Sequence, residues 1–372
     1  MKKPTILLIL LLLLCINAFS QKSQPVAYAV FKDSTLTFYY NDKKPDGAYD
    51  VEKMVKGYFN TELKEWDSIS RNIKTVVFDK SFKIYRAKSC KSWFFDFKNL
   101  TSIEGIKENF NTSEVTDMHG MFLHCESLTN LDVSGFNTGN VTNMKAMFEG
   151  CRKLISLDVS GFDTENVTDM SGMFCYCINL TRLDVSGFNT KNVTDMGCMF
   201  WHCENLTSLD VSGFNTEKVT DMGEMFASCE NLTILDVSGF NTENVMFMLG
   251  MFSKCINLTS LDVNRFKTDN VKIMTYMFFL CKNLSSLDIS GFNTDKVVNM
   301  EYMFTNCEKL KTIYGGNGWN TSIVKFSTDM FKNCHNLIGG QGTKYNEYHI
   351  DAEYARIDGG KSNPGYFTKK TK

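Results

Sequence analysis

The chain has 372 residues, with 40 basic and 42 acidic side chains and a formal charge of −2 at pH 7. This near balance lacks the basic excess that nucleic acids and anionic membranes attract, so the sequence predicts neither as a partner. A chain of this length would ordinarily form two domains, but internal repeats remove that expectation because a repeat array grows along one axis.

The first twenty residues predict a signal peptide. Lys2 and Lys3 form a basic start, residues 6–16 are an unbroken apolar run, and small residues at 18 and 20 suit a signal peptidase. Eleven apolar residues are too few for a bilayer, which needs about 20. We therefore expect an exported protein, at the cell surface or secreted, with signal peptide 1–20 and no membrane span. Lipid attachment at Cys15 is the alternative, but Leu14 precedes it where a small residue is expected.

Residues 21–91 predict a β-rich N-terminal capping region. The runs AYAVF, LTFYY and KTVVFD surround a polar stretch, NDKKPDGAYD, and each has the composition of a strand. The repeats that follow occupy residues 92–338, and residues 339–372 read as a tyrosine-rich C-terminal capping segment with glycine turns.

A 26-residue period dominates the middle of the chain, and this period falls in the range of leucine-rich repeats. Equivalent positions in successive repeats are called a column below. The cysteine column keeps the period until its last member, which comes one residue late: Cys125, Cys151, Cys177, Cys203, Cys229, Cys255, Cys281, Cys307 and Cys334.

One unit, residues 128–151, reads LTNLDVSGFNTGNVTNMKAMFEGC. Alternation places Leu131 and Val133 inward on a strand, and Gly135 permits a turn. The apolar residues of 141–151 follow at three- and four-residue steps, which predicts a short helix capped by Thr138 or Thr142. A single repeat buries too little to offset its backbone entropy, so repeats must stack. The predicted fold is an α/β solenoid, a leucine-rich-repeat-like array with one short parallel strand and one short helix per rung.

The repeated cysteines and methionines are interpreted as core. Stacked parallel Cβ vectors do not converge to disulfide geometry, so the cysteine column is expected to hold buried free thiols. Cys90, Cys175 and Cys198 lie off that column and are the likelier reactive thiols. Seventeen of the twenty methionines fall in two columns at helical spacing, which is typical of core packing.

An aspartate column is predicted to face outward from the strands: Asp132, Asp158, Asp184, Asp210, Asp236, Asp262 and Asp288. Carboxylates about 4.8 Å apart repel, so local hydrogen bonds, solvent or bound cations must relieve them. Calcium is the weaker alternative, because one carboxylate per rung lacks the additional oxygens of a calcium site.

We expect no enzyme, no cofactor and no metal site. The five histidines form no repeating column, no CxxC pair meets a histidine pair, and GxSxG, HExxH and phosphate-loop motifs are absent from the sequence.

Function in a repeat array shows as departure from the consensus at exposed positions. Apolar and aromatic departures concentrate between Val245 and Tyr302, with a second, smaller aromatic group upstream, and such clusters are typical of contact surfaces. The alternatives are that the closing segment covers this side, or that drift is tolerated. The predicted partner-binding residues are Phe247, Ile273, Tyr276, Phe279, Tyr302, Tyr176, Trp201 and Arg265.

The block LDVSGFNTxNVTDMxxMFxxCxxLTS, over about residues 92–338, resembles the BspA-like leucine-rich-repeat bacterial surface proteins, and the flanks resemble those of Bacteroidetes members. The resemblance implies an exported or cell-surface protein and, for some members, adhesion to host matrix proteins or other bacteria. We therefore predict a protein-binding scaffold, an adhesin for host matrix or bacterial surface proteins. The alternatives are an extracellular glycan-binding module, favoured if Trp201 and Tyr176 are flat and exposed, or a purely structural spacer.

Overall fold

The computed structural model describes residues 24–56 and 62–370. The predicted signal peptide, with Cys15, lies outside these residues. Within the described part of the chain, no helix has the length and apolar character needed to cross a membrane.

The N-terminal region is a mixed five-stranded sheet. The strand bounds are Val26–Lys32 (β1), Thr35–Asn41 (β2), Tyr49–Asp50 (β3), Met54–Lys56 (β4), Glu62–Lys64 (β5), Thr75–Phe78 (β6) and Ser102–Glu104 (β7). Strands β1 and β2 form a hairpin, and β2, β6 and β7 continue the sheet in parallel, so that the strand order is β3-β1-β2-β6-β7. A two-stranded antiparallel pair, β4 and β5, lies outside this sheet.

An aromatic core fills this region. Phe38 packs in parallel on Trp93 at a centroid distance of 5.5 Å and edge-on against Trp66 at 5.3 Å. The ammonium of Lys64, a nearly buried residue, donates to the Val51 carbonyl at 2.7 Å, and burial lowers its pKa. Two 3₁₀ turns, Glu65–Asn72 and Lys80–Ile84, and one four-residue helix, α1 (Ile106–Asn109), complete the region.

The repeats stack as predicted, because single parallel bridges join equivalent residues of successive repeats. The bridges form one ladder through Ser89, Asp117, Asn143, Asp169, Asp195, Asp221, Phe247, Ile273, Asn299 and Phe326. Assigned strands are sparse in the array: β8 (Ser156–Leu157) pairs in parallel with β9 (Arg182–Leu183), and β10 (Ser286–Asp288) with β11 (Thr312–Gly315).

The prediction of a helix in every repeat is wrong. The segment following each bridge is a series of tight turns, and its alternate N–H groups donate to the next repeat instead of to their own turn. Met118 donates to the Asn143 carbonyl at 2.9 Å, and Phe122 to the Met147 carbonyl at 2.9 Å. The predicted caps also bond between repeats: the Thr138 hydroxyl donates to the Asp163 carbonyl, and the Thr142 hydroxyl to the Thr116 carbonyl.

The turn segment repeatedly uses left-handed backbone, which interrupts an α-helix. Tyr276 (φ 60°) and Leu280 (φ 59°) adopt it although such conformations are uncommon for bulky side chains. Their N–H groups donate to the Glu301 and Thr305 carbonyls of the next repeat at 3.0 and 2.9 Å. Stacking therefore holds a backbone geometry that an isolated repeat would not keep.

The methionine, phenylalanine and cysteine columns form one continuous core, as predicted. The two methionine columns are fully buried from Met118 to Met330, and phenylalanine rings stack between repeats, as Phe200 does on Phe226 at 5.8 Å. The predicted inward residues Leu131 and Val133 are likewise buried.

The C-terminal segment closes the array. Strand β12 (Phe367–Lys369) pairs in parallel with β11, and Trp319 donates its indole N–H to the Ala355 carbonyl at 2.8 Å. Three N–H groups of the last repeat, which in earlier repeats would donate to the following one, bond the closing segment. The Phe331 N–H bonds the Ile350 carbonyl at 2.8 Å, and those of Asp329 and Asn333 bond Asp351 Oδ1 and Tyr345 Oη. Two short 3₁₀ turns, Ala352–Tyr354 and Gly360–Ser362, lie in this segment.

Candidate protein-interaction surface

Five of the predicted residues lie close together on the turn side of the array: Phe247, Ile273, Tyr276, Phe279 and Tyr302. We call these five the aromatic ridge. Phe247 is 45% exposed and Tyr276 is 37% exposed, while the other three are half-buried. The ridge spans adjacent repeats. A parallel bridge joins Phe247 to Ile273, and Tyr276 and Tyr302 occupy the same left-handed backbone position of successive repeats, three residues after the bridge residue.

Ring contacts hold the ridge in place. The Tyr276 and Tyr302 rings stack at a centroid distance of 4.9 Å with planes 4° apart, and Phe279 meets Tyr276 edge-on at 5.3 Å. Burial, with Tyr302 and Glu301 nearby, raises the pKa of Tyr276. The phenol is therefore neutral at physiological pH, and its ring offers an apolar surface with a hydroxyl that can donate.

One exposed aromatic residue of the same bridge column was not predicted from the sequence. Phe326 is 53% exposed and follows Phe247, Ile273 and Asn299 in the ladder. The spacing from Asn299 to Phe326 is 27 residues, whereas the earlier steps are 26. Cys334 likewise follows Cys307 by 27 residues. This extra residue in the last repeat was the sequence signal that could have assigned Phe326 to the bridge column.

The second aromatic group forms separately. Tyr176 stacks on His202 at 4.5 Å, and the Arg152 guanidinium lies 5.1 Å from the Tyr176 ring centre. Trp201 is tilted 57° from Tyr176, and both are half-buried, so these rings do not form the flat exposed pair that a glycan platform requires. Arg265 is exposed in the turn after a strand-like segment, which is a different part of the repeat from the turn segment that carries the ridge.

The closing segment does not cover the ridge. Its contacts lie at the last repeat and on the strand side, where the Lys370 ammonium pairs with Asp288 at 2.9 Å and lies 4.6 Å from the Tyr314 ring centre. Phe247 and Tyr276 stay exposed. The alternative in which this segment folds over the apolar departures is therefore wrong for these two residues.

The outward aspartate column is satisfied by local hydrogen bonds. In the regular repeats each carboxylate accepts from the serine two residues on; Asp184 Oδ1 takes the N–H and hydroxyl of Ser186 at 3.0 and 2.7 Å. The serine bonds lower the pKa of Asp184. Lysines pair with the two ends of the column, Lys107 with Asp132 and Lys370 with Asp288. In the described part of the chain, no group of three or more candidate ligands is arranged to hold a metal ion.

The described cysteine thiols are free and serve as part of the packed interior. The twelve described cysteines are free, and members of the buried column donate to main-chain carbonyls, as Cys229 does to Phe200 at 3.2 Å. The off-column thiols were expected to be the more reactive ones, but burial raises the pKa of Cys90 and Cys175, and raises that of Cys198 to about 12. None of the three is an activated thiolate.

A family model matches this array. The family described as "Mycoplasma protein of unknown function, DUF285" matches residues 88–182, 177–263 and 229–343, which together cover more than half of the chain. The chain belongs to the DUF285 family. The ridge and the Tyr176 group both lie inside the matched DUF285 repeats.

Other comparisons add little to the DUF285 assignment. A solved structure described as "Crystal structure of TLR13-ssRNA13 complex" is 12% identical, over 73% of this chain and 43% of that chain, with a TM-score of 0.25. This chain thus spans less than half of that relative. No curated protein matches the sequence.

Proposed function

We propose that the chain is an exported, non-enzymatic protein-binding scaffold, a leucine-rich-repeat-like solenoid that presents the aromatic ridge to a partner protein. The observation that carries this proposal is the exposure of Phe247 and Tyr276 at columns that are polar or small in the earlier repeats. Phe247 stands where three earlier repeats have Asp169, Asp195 and Asp221. Exposed aromatic clusters held in rigid backbone are typical of binding hot spots.

We further propose that the chain acts as an adhesin at the cell surface. The resemblance to BspA-like surface proteins favours host matrix or bacterial surface proteins as ligands, and the predicted signal peptide 1–20 favours export. A structural spacer is less well supported, because a spacer needs no clustered apolar departures. The tilt of Trp201 against Tyr176 disfavours the glycan-binding alternative.

The test uses the purified chain without residues 1–20. It is screened against immobilised matrix proteins, bacterial surface proteins and a glycan array. The variant Phe247→Ser, Tyr276→Ser, Phe279→Ser is then compared with the unaltered chain. We expect the triple variant to keep its circular dichroism spectrum and to bind the protein ligand at least about 30-fold more weakly, since the loss of even one hot-spot side chain costs about 2 kcal/mol or more.

A matched control replaces exposed apolar residues outside the ridge. Ile155 is 54% exposed and Ile234 is 75% exposed. The variant Ile155→Thr, Ile234→Ser should retain full affinity. A folded ridge variant with unchanged affinity would refute the proposal, and binding confined to the glycan array would favour the alternative.

A further inference from the structure

A groove of about 670 Å³ runs across the repeats beside the start of the ridge. Met246, which precedes Phe247 in the chain, lines it and is 40% exposed. Three lysines from different repeats line the same groove. We call Lys218, Lys272 and Lys296 the lysine groove. The remaining lining residues are neutral: Thr194, Thr220, Asn244 and Asn270.

These lysines are departures from the repeat pattern. Lys218 and Lys296 stand in a column that is asparagine in five other repeats, as at Asn166 and Asn244. Lys272 stands in a column that is threonine from Thr142 to Thr220. These two columns thus change from neutral to cationic side chains at the repeat just before the ridge and at two repeats that carry it.

The positive charge of the groove is not cancelled within the described part of the chain. The Lys218 and Lys296 ammonium groups donate to the Asn192 and Asn270 side-chain oxygens at 2.8 and 2.9 Å, and none of the three lysines has an ion-pair partner within 4.0 Å among the described residues. Among the described residues, no carboxylate lines the groove.

Acidic residues adjacent in sequence do not neutralise the groove. The carboxylates of Asp269 and Asp295 accept from the Asn293 and Asn320 side-chain amides at 2.8 and 3.1 Å. Glu217 and Glu243 are exposed and make no ion pair with the groove lysines. The groove therefore offers cations on a chain whose overall charge is slightly negative.

We propose that the segment of the partner protein that lies in this groove is acidic. Its carboxylates pair with the lysine groove while its apolar side chains cover Met246 and the ridge. The inference rests on the proposed function, and it specifies the chemistry of the partner. A protein segment is favoured over a sulfated polysaccharide because the lysines adjoin the exposed side chain of Met246, and a protein segment has apolar side chains that can cover it whereas a sulfated polysaccharide has none.

The spacing of the lysines suits an extended segment. Lys218 and Lys296 are three repeats apart, about 14 Å at ~4.8 Å per repeat. Acidic residues at positions i and i+4 of a β-strand are about 13–14 Å apart on one face. A strand laid along the array thus brings two carboxylates to two lysines, with room for a third residue opposite Lys272.

The test measures fluorescence anisotropy with a labelled ten-residue peptide that has aspartates four residues apart and phenylalanines between them. Its analogue has asparagine at each aspartate. We expect the unaltered chain to prefer the aspartate peptide by roughly tenfold at low salt, with a smaller preference at about 0.5 M salt, since exposed ion pairs are screened. The variant Lys218→Asn, Lys272→Thr, Lys296→Asn restores consensus residues and should lose this preference.

The matched control removes three exposed lysines elsewhere, as Lys153→Asn, Lys309→Asn, Lys361→Asn, and should keep the preference. The inference is overturned if neither peptide binds, if both bind equally, or if the groove variant keeps the preference. Heparin serves as the polysaccharide probe. If the unaltered chain binds heparin, the groove variant does not, and neither protein distinguishes the two peptides, the inference is overturned in favour of a polysaccharide.

The two proposals fail separately. With the protein ligand from the screen, loss of binding by the ridge variant alone retains the proposed function and removes the acidic segment. If only the groove variant loses binding, the groove is retained as a binding site and the proposed role of the ridge is refuted.

Discussion

Two stretches of the same array share one backbone and differ in what they show to solvent. In the first stretch the bridge column holds Asp169, Asp195 and Asp221, and in the second it holds Phe247 and Ile273. Equivalent hydrogen bonds join repeats in both stretches: Met196 donates to the Asp221 carbonyl at 3.1 Å in one, and Met274 to the Asn299 carbonyl at 2.9 Å in the other. The same backbone bond thus forms after an aspartate and after an isoleucine, so this column tolerates different side chains.

The largest expected effect lies in the core that both stretches share. Phe200 stacks on Phe226 at 5.8 Å in the first, and Phe278 on Phe304 at 5.6 Å in the second. Phe200→Ala and Phe278→Ala should each lower the free energy of unfolding by about 3–5 kcal/mol, because each leaves a cavity between repeats. Urea denaturation measures both. If the two losses in free energy of unfolding differed by more than about 2 kcal/mol, the two stretches would not be equivalent in their core.

A smaller, pH-dependent change in the free energy of unfolding is expected only in the first stretch, whose bridge residues are aspartates. Burial, with Asp169 and Asp221 nearby, raises the pKa of Asp195, so the native state takes up a proton more readily than the unfolded chain. The stability contributed by this group is full below the unfolded pKa of about 3.9 and is lost as the pH rises through the folded pKa. Asp195→Asn should therefore be more stable than the unaltered chain at pH 7, by a few tenths of a kcal/mol.

Thermal unfolding from pH 3 to pH 7 measures this difference, which should disappear at the acid end. Asparagine fits the site, because Asn143 in the same column accepts the Lys145 N–H at 3.0 Å as Asp195 accepts that of Gly197 at 2.9 Å. Ile273→Val serves as the control in the apolar stretch, where the bridge residue does not titrate. An advantage of Asp195→Asn that grows toward pH 3 would contradict the assignment.

The smallest effect is expected on the strand side, where the regular repeats carry the same Asp-Ser pair. Ser186→Ala removes the hydroxyl that donates to Asp184 at 2.7 Å. The pKa of Asp184 should rise toward its ordinary value, while stability hardly changes at this exposed site. NMR titration measures the shift, and Ser186→Thr, which keeps a hydroxyl, should leave the pKa low. Equal pKa values in the alanine and threonine variants would count against the hydrogen bond.

The period made the stacking, the buried columns and most of the ridge predictable. Columns of methionine, phenylalanine and cysteine at 26 residues imply a shared interior whatever the local backbone. The helix was not predictable from spacing alone, because turns that repeat every three or four residues place the same side chains inward. Gly120, Gly172 and Gly250 share one column and hinted at left-handed backbone, but Tyr276 and Glu224 adopt it without any such sign.

The candidate site was predicted in part. Phe247, Tyr276 and their neighbours stood out because they replace polar or small residues. Arg265 was expected with them, but it belongs to a different turn of the repeat. The lysine groove was missed because a charged departure on a polar surface resembles ordinary variation. Only the structure brings Lys218, Lys272 and Lys296 to one cavity.

The turn-segment bonds between repeats point one way along the stack, and this polarity has a consequence for the length of the protein. Every regular unit offers the same donors on one side and the same acceptors on the other, while the closing segment supplies Ile350, Asp351 and Tyr345 to the final donors. A 26-residue unit can therefore be duplicated or lost inside the array without leaving an unmatched group at the junction. Related chains can differ in reach by whole units while both ends stay the same.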